Sequence, residues 1–356
     1  MRPKAGMPIS PGSPEISLGE SNSLADAAAR REERRSRQDR QMAHRDVRTF
    51  SKPDDYAAAF GSAKLSVTIC GPGDFTAQIT RLNLRNLDLY CCTERLSRIA
   101  FVSLPSDRLF VTFPNENSSF FVTNGHALGF GEMVFHGRGE RTYQVIKESC
   151  QWGLLSLSSE QLERTSKALS GRKLTIPEFG KYQRPARAHA KQFHWIFGQA
   201  CRLAEARRGP IEHPEVGRAV EQEMLHALVN CLIADEVELS SKHHQPATVM
   251  ARFEEIVGNR IGEKLSVPAL CAELDIPERT LRTYCEKFLG VGPSKYFLLR
   301  RLNRVRRALQ DADPSTSSVA SIAQAHRFLE LGRFAQVYRS VFDELPSVTL
   351  QRSAQV

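Results

Sequence analysis

The chain has 356 residues, which is more than one typical domain needs, so its length favours two domains with flanking tails. Its formal net charge of +9 suits a partner that carries phosphates. No apolar run reaches the ~18 residues of a membrane-spanning helix, and the amino terminus lacks the apolar stretch of a signal peptide. We therefore expect a cytoplasmic protein with no membrane anchor.

The cysteines argue against a disulfide framework or a zinc site. The chain has eight, scattered without the C-x-x-C spacing of metal or redox motifs. Cys271 and Cys285 fall on the apolar faces of predicted helices, so we interpret them as buried thiols in a reducing compartment.

Residues 1–46 are rich in proline, glycine and serine and then in arginine, a composition too polar to offset the entropy of ordering. We predict a disordered basic tail. Its arginine run at 26–40 is either a solvated segment or a contact with DNA or another subunit.

Residues 47–180 predict a β-rich domain. A short helix near 50–60 is followed by strand-like segments separated by glycine, proline and asparagine turns. These segments are 65–70, 75–84, 87–92, 99–104, 109–112, 119–123, 133–136, 143–146 and 153–158. Short strands at this spacing are typical of an antiparallel β-sandwich or barrel.

An enzymatic role for this half lacks its motifs. A metal-dependent barrel enzyme would need paired histidines with a carboxylate, whereas His126 and His136 stand ten residues apart. We interpret His126 as a turn residue and His136 as a sheet-edge residue, and we predict no metal, no cofactor and no catalytic residue. A group of aromatic residues either lines an apolar ligand pocket or fills the core: Tyr90, Phe101, Phe110, Phe113, Phe130 and Trp152.

Residues 181–245 predict a helical coupling region. Apolar stripes run along 187–207 and 216–232, and they suit either dimerisation or packing on the barrel. The polar segment 240–246 reads as a linker.

Residues 246–352 predict two helix-turn-helix units joined by a long basic helix. In the first unit, apolar spacing favours a helix at 267–274 and a second helix that begins at Pro277 or Glu278 and ends at Gly290. In the second unit, Ser317 or Ser318 caps a helix, 326–328 form a turn and a further helix extends to Phe342. Pro346 is expected to stop whatever element follows 343–344.

At these residues the chain resembles the AraC/XylS family of bacterial transcription regulators. The matching pieces are Leu281…Phe288-Leu289-Gly290, Gly292-Pro293…Tyr296…Arg301-Leu302…Ala308-Leu309, 319–323, 328–342 and 346–350. The sequence at 331–335, 338–339 and 346–347 is similar to that of the family branch that includes the ethanolamine-utilisation regulator. The resemblance implies double-stranded DNA and RNA polymerase as partners, a cupin-like sensing barrel with an effector inside it, and a homodimer formed through the coupling region.

Candidate base contacts follow from the family pattern and from outward-facing positions. On the first recognition helix they are Arg279, Arg282 and Thr283; on the second, where Leu331 and Gly332 offer nothing polar, they are Arg333 and Gln336. The candidates for phosphate contacts are Lys287, Lys295, Arg300, Arg304 and Arg339.

The chain departs from the family pattern at three glycines and one cap. Asp275, Arg327 and Asp343 stand where the backbone needs φ > 0, which arginine does not adopt without strain. Pro277 replaces a serine N-cap, so one cap hydrogen bond is lost.

We therefore predict a nucleoid-associated transcription regulator, favoured as an activator, whose effector remains unknown from sequence. Two alternatives stay open. One is a ligand-independent regulator whose barrel is only a dimerisation scaffold. The other is a small-molecule-binding barrel that does not bind DNA.

Overall fold

The computed structural model describes residues 43–61, 63–115, 121–206, 210–233, 244–260 and 265–352. The predicted basic tail lies outside these residues except at 43–46, and here the predicted boundary is wrong. His44–Phe50 form a strand whose backbone pairs antiparallel with 77–83. Charged residues at 45, 46 and 48 leave this segment with a weak apolar pattern, so the sequence did not predict a strand here.

The amino-terminal domain is a sandwich of two antiparallel sheets, which confirms the predicted fold class. One sheet has the strand order β1-β3-β4-β11-β6-β9-β12, and the other has β2-β5-β10-β7-β8. The strands are β1 (His44–Phe50), β2 (Lys64–Ile69), β3 (Thr76–Asn83), β4 (Leu87–Arg95), β5 (Arg98–Ser103), β6 (Leu109–Pro114), β7 (Phe121–Thr123), β8 (His126–Leu128), β9 (Met133–Phe135), β10 (Arg141–Ile146), β11 (Cys150–Leu157) and β12 (Lys181–Gln183). The part of predicted strand 119–123 that the structure describes is β7.

The space between the two sheets is filled by side chains. Helix α1 (Pro53–Ala58) and the residues after it insert Tyr56 and Phe60 between the sheets. Phe60 stacks on Trp152 with ring centroids 5.8 Å apart. Glu94 accepts hydrogen bonds from Tyr56 at 2.7 Å and from Trp152 at 2.6 Å, and it pairs with the fully buried Arg98. Burial by itself would raise the pKa of Glu94, but the Arg98 charge and these hydrogen bonds outweigh burial and lower it.

Neighbouring residues of a strand point to opposite faces of its sheet, so each sheet has an outer face as well as an inner one. Both outer faces carry apolar residues. The outer face of the first sheet packs under helices α2 (Ser159–Ser170), α3 (Arg187–Glu205) and α4 (Pro214–Ile233), with a 3-10 turn at Pro210–Glu212. For example, Phe113 meets Phe193 and Phe197 edge to face. The two helices predicted in the coupling region are confirmed, whereas α2 was not predicted. In the part of the chain described, the coupling helices α3 and α4 therefore pack on the β domain.

The carboxy-terminal domain is all helix. Its elements are α5 (His244–Asn259), α6 (Val267–Leu274), α7 (Glu278–Leu289), α8 (Pro293–Asp311), α9 (Val319–Ala325), α10 (Leu331–Phe342) and α11 (Pro346–Arg352). No helix runs through Pro346 from the preceding residues, as predicted, but this proline also begins α11, which was not predicted. A proline at the first helical position has no hydrogen bond to lose and already has a helical φ.

Candidate nucleic-acid interface

The first helix-turn-helix unit consists of α6 and α7. The Ser266 hydroxyl caps α6 by accepting from the Ala269 N–H at 3.2 Å. Asp275 ends α6 with φ 54°, in the left-handed conformation that the sequence predicted. Pro277 caps α7 without a side-chain hydrogen bond, and Gly290 ends it with φ 73°. The turn geometry predicted for this unit is confirmed.

One face of α7 is buried and the other is open. Leu281, Cys285 and Phe288 are at most 1% exposed. The base-contact candidates Arg279, Arg282 and Thr283 and the phosphate candidate Lys287 all lie on the exposed face. Arg282 pairs with Glu278 at 3.3 Å, and the Thr283 hydroxyl donates to the Arg279 carbonyl oxygen at 2.9 Å. The structure thus groups the three base-contact candidates on one accessible helix face.

The second unit consists of α9 and α10. Ser318 and Ser321 form a reciprocal capping box at the start of α9, which selects Ser318 from the two predicted caps. Arg327 has φ 62° and Asp343 has φ 57°, so both take the left-handed conformation despite the strain expected at arginine. Next to Arg327, the Arg301 guanidinium lies 4.0 Å from the centre of the Phe328 ring and holds this turn against α8.

Helix α10 buries Phe334, Tyr338 and Phe342 and exposes its other face. The exposed residues are Leu331, Gly332, Arg333, Gln336, Arg339 and Ser340. Arg333 and Gln336 therefore remain the polar groups that this helix offers to bases.

The phosphate candidates divide into two groups. Lys287, Lys295 and Arg339 are exposed. The prediction for Arg300 is corrected: its guanidinium pairs with Glu254 and lies 5.7 Å from the Tyr296 ring, with the side chain 13% exposed. Arg304 is half-buried, and burial together with the nearby Arg300 charge lowers its pKa. The period of α8 cannot reveal this, because the partner comes from α5.

Glu254 is a buried carboxylate at the domain junction that the sequence predictions missed. It is 5% exposed and lies on α5 in phase with Met250, Phe253 and Val257, all buried. A carboxylate within an apolar helical stripe is a signal that was available, since such a group needs a buried partner. The partners are Tyr143 of β10, Tyr296 and Arg300.

The outer face of the second sheet is covered by this first unit. Ile99, Tyr143 and Val145 share a core with residues of α5, α6 and α7. The hairpin between β7 and β8 also abuts α7: Gly125 has φ 77°, and a Cβ at that position would lie 2.8 Å from the Lys287 carbonyl oxygen. The recognition helix is thus held between its own unit and the β domain.

Helix α8 continues this junction. β2 is an edge strand, so part of its backbone has no neighbouring strand to pair with. The Asn303 side chain takes that place at Ile69: it accepts from the Ile69 N–H and donates to the Ile69 carbonyl oxygen, both at 2.9 Å. Farther along, Arg306 donates to the Gly73 carbonyl at 3.1 Å and pairs with Glu344 at 3.2 Å.

Two histidine interpretations are corrected. His126 begins β8 rather than sitting in a turn, and its ring lies 4.3 Å from the Tyr182 ring. His136 is buried and not at a sheet edge: its ring nitrogens lie 2.8 Å from the Thr112 hydroxyl and 3.2 Å from Glu140. Among the residues described, no cluster of three or more His, Cys, Asp or Glu side chains could hold a metal ion.

Comparison with known proteins agrees with this geometry. Residues 270–352 match the family model of a helix-turn-helix domain. The carboxy-terminal domain is therefore a helix-turn-helix domain. The chain is similar to the XylDLEGF operon transcriptional activator of Pseudomonas putida, with 27% identity over 230 residues, or 64% of this chain and 69% of the relative. The XylDLEGF operon transcriptional activator 3 of the same organism is 35% identical over 101 residues, or 28% of this chain and 30% of the relative.

The chain is accordingly a DNA-binding transcription regulator and not an enzyme. The crystal structure of the AraC-like transcriptional activator CuxR overlaps 73% of this chain and 94% of its own, with 16% identity and a TM-score of 0.38. Among the described helices, none is both long enough and apolar enough to cross a membrane.

Proposed function

We propose that this regulator binds a specific operator through both recognition helices and activates transcription under the control of a small molecule. The observation that carries the proposal is that α7 and α10 each bury one face in the domain. The opposite face of each helix exposes polar side chains. Arg279, Arg282 and Thr283 would read one half-element, and Arg333 with Gln336 would read a second. Two half-elements about one helical turn apart, roughly 34 Å, are the expected operator.

The exposed cations beside these helices would bind phosphates. Lys287, Lys295 and Arg339 supply charge without sequence choice, so they raise affinity for all DNA. Half-buried Arg304 is a weaker candidate for a phosphate contact. We no longer propose Arg300 for that role, because its guanidinium pairs with Glu254 at the domain junction.

Activation, through recruitment of RNA polymerase, is proposed because the similar P. putida proteins are named operon transcriptional activators. The same proposal includes control by an effector and assembly into a homodimer. It also includes a cytoplasmic, nucleoid-associated location and the likeness to the ethanolamine-utilisation branch. The packing of α3 and α4 on the barrel leaves dimerisation to be tested by sedimentation of the full chain.

The test is genome-wide binding of the tagged chain, then gel-shift titration on the best site at two salt concentrations. In R279A/R282A we expect weaker operator binding, by about 1–3 kcal/mol for each base pair whose bidentate contact is lost, and relaxed specificity. K295A should weaken binding to all sequences and lower the salt slope by about one. The matched control is R164A/R172A, which removes two exposed arginines near α2. Unchanged affinity and specificity in R279A/R282A would overturn the assignment of α7 as a reading helix.

A further inference from the structure

A cleft of about 810 Å³ opens on the β domain, and its lining residues come from outside the helix-turn-helix units. Its walls are the loop Gly129–Glu132, which joins β8 to β9, and residues 184–191 at the start of α3. This volume is suited to a small molecule. The space between the sheets, where the family resemblance would put an effector, is instead filled by Tyr56, Phe60 and Trp152.

The charged lining of the cleft is mostly positive. Arg184, Arg187 and Lys191 line it, together with a single carboxylate, Glu132. That carboxylate is already engaged: one oxygen accepts from Arg184 Nε at 2.6 Å and the other from the Gly129 N–H at 2.8 Å. Arg187 and Lys191 are both exposed and lie one turn apart on α3.

The first turn of α3 lacks the residues that usually stabilise the start of a helix. Its first turn contains no acidic residue, and Ala186 provides no side-chain cap. Instead Arg187 is its first residue, where a cation opposes the positive end of the helix dipole. Such an arrangement is unfavourable by itself and becomes favourable when an anion binds.

The cleft also has an apolar surface. Phe130 is 45% exposed, which is unusual for a phenylalanine, and its ring stacks on His194 at 4.2 Å between centroids. His194 is 8% exposed, and neither ring nitrogen has a hydrogen bond among the residues described. Burial lowers the pKa of His194 to about 4, so the ring is neutral at neutral pH and adds an apolar layer beneath Phe130.

We propose that this cleft binds a small amphiphilic organic anion and is the effector site of the regulator. The acidic head lies at Arg187 and Lys191, and the apolar body covers Phe130. The role as effector site rests on the proposed function; the binding itself does not.

A short path connects this site to DNA. The cleft loop begins directly after the three residues of β8, and the residue before β8 is Gly125. Gly125 abuts Lys287 on the first recognition helix. A ligand that orders the loop therefore acts on the strand that carries the contact with α7, which gives the two sites a physical connection.

The probe for binding is 1-anilinonaphthalene-8-sulfonate, an aromatic anion, titrated by fluorescence into the full-length chain without DNA. N-phenyl-1-naphthylamine, which has the same rings without the sulfonate, is the uncharged control. We expect saturable binding of the anion, weakened at least tenfold in R187Q/K191Q, with the neutral probe unaffected by that change. F130A should weaken both probes. These three residues are exposed, so the variants are expected to fold.

The matched control is R202Q/R218Q, which removes the same charge from exposed sites at the end of α3 and on α4. It should bind both probes as the unmodified chain does. Equal affinity of the anion for R187Q/K191Q and the unmodified chain, or no saturable binding, would overturn the site.

The effector role is tested separately by gel shift. The sulfonate should change operator affinity of the unmodified chain and not of R187Q/K191Q. If the probe binds the cleft but operator affinity does not respond, the effector role fails while DNA recognition stands. If R279A/R282A retains full operator binding, the proposed function fails independently of the cleft.

Discussion

Tyr143 of the β domain donates a hydrogen bond to Glu254 of the DNA-binding domain, with 2.8 Å between the oxygens. Tyr296 donates to the same carboxylate oxygen at 2.8 Å, and Arg300 pairs with the other. Burial, followed by the neighbouring Glu254 charge, raises the pKa of both tyrosines, so both hydroxyls stay protonated and act as donors. One buried carboxylate thus joins the second sheet to the first helix-turn-helix unit.

Removing this carboxylate should loosen the junction. E254A leaves Arg300 buried without its partner and two tyrosine hydroxyls unsatisfied, so we expect the free energy of unfolding to fall by about 3–5 kcal/mol. The neighbouring Glu255 is the control, because its pair with Arg141 at 3.2 Å is exposed on both sides. E255A should change stability by less than ~1 kcal/mol. Urea unfolding of both variants checks the difference, and similar midpoints would refute the role of Glu254.

Gly125→Ala tests the contact between the hairpin and α7. Both G125A and G171A force alanine into a left-handed conformation, at a cost of about 1–2 kcal/mol. A Cβ at 171 meets nothing within 4 Å, whereas one at 125 would lie 2.6 Å from Lys287 Cγ. We expect G125A to be less stable than G171A by a further ~1–3 kcal/mol.

Hydrogen exchange distinguishes a local effect from a global one. G125A should increase exchange in α7 above the level seen in G171A. Equal exchange in the two variants would show that Gly125 and α7 are not in contact in solution.

Glu94→Ala should be severely destabilising, because it leaves the fully buried Arg98 unpaired. The expected loss is about 3–5 kcal/mol. E94L/R98M, which replaces both charges with apolar groups, should recover much of it. Trp152 donates to Glu94, so its fluorescence reports unfolding at this cluster. If the double variant were as unstable as E94A, the loss would not come from the unpaired charge.

His194→Leu should alter the pH dependence of stability. The folded pKa of about 4 lies below the unfolded value of ~6.5, so the unfolded chain binds the proton first as pH falls. His194 therefore contributes stability above pH ~6.5 that is lost toward pH 4, at up to ~1.4 kcal/mol per pH unit.

H194L should lose this slope, and the exposed His213 provides the control H213Q, which should keep it. Urea midpoints at about pH 7, 5.5 and 4.5 check the window. An unchanged slope in H194L would show that His194 titrates normally in the folded chain.

Local sequence predicted the helix-turn-helix units well. Helix periods, the serine caps and the left-handed positions at Asp275, Arg327 and Asp343 all depend on neighbours within a few residues. Most strands of the sandwich followed for the same reason. β1, β8 and β12 did not: β1 has few apolar residues, and β8 and β12 have only three residues each, which carry little periodicity.

The sequence by itself therefore determined the elements of the helix-turn-helix units and the exposed faces of α7 and α10. Only the tertiary structure decided which charges are free to meet DNA and which hold domains together. Arg300 and Glu254 are 46 residues apart, and Phe130 and His194 are 64 apart. Such pairings arise when distant faces pack and desolvate their polar groups, and no local pattern encodes that partner choice.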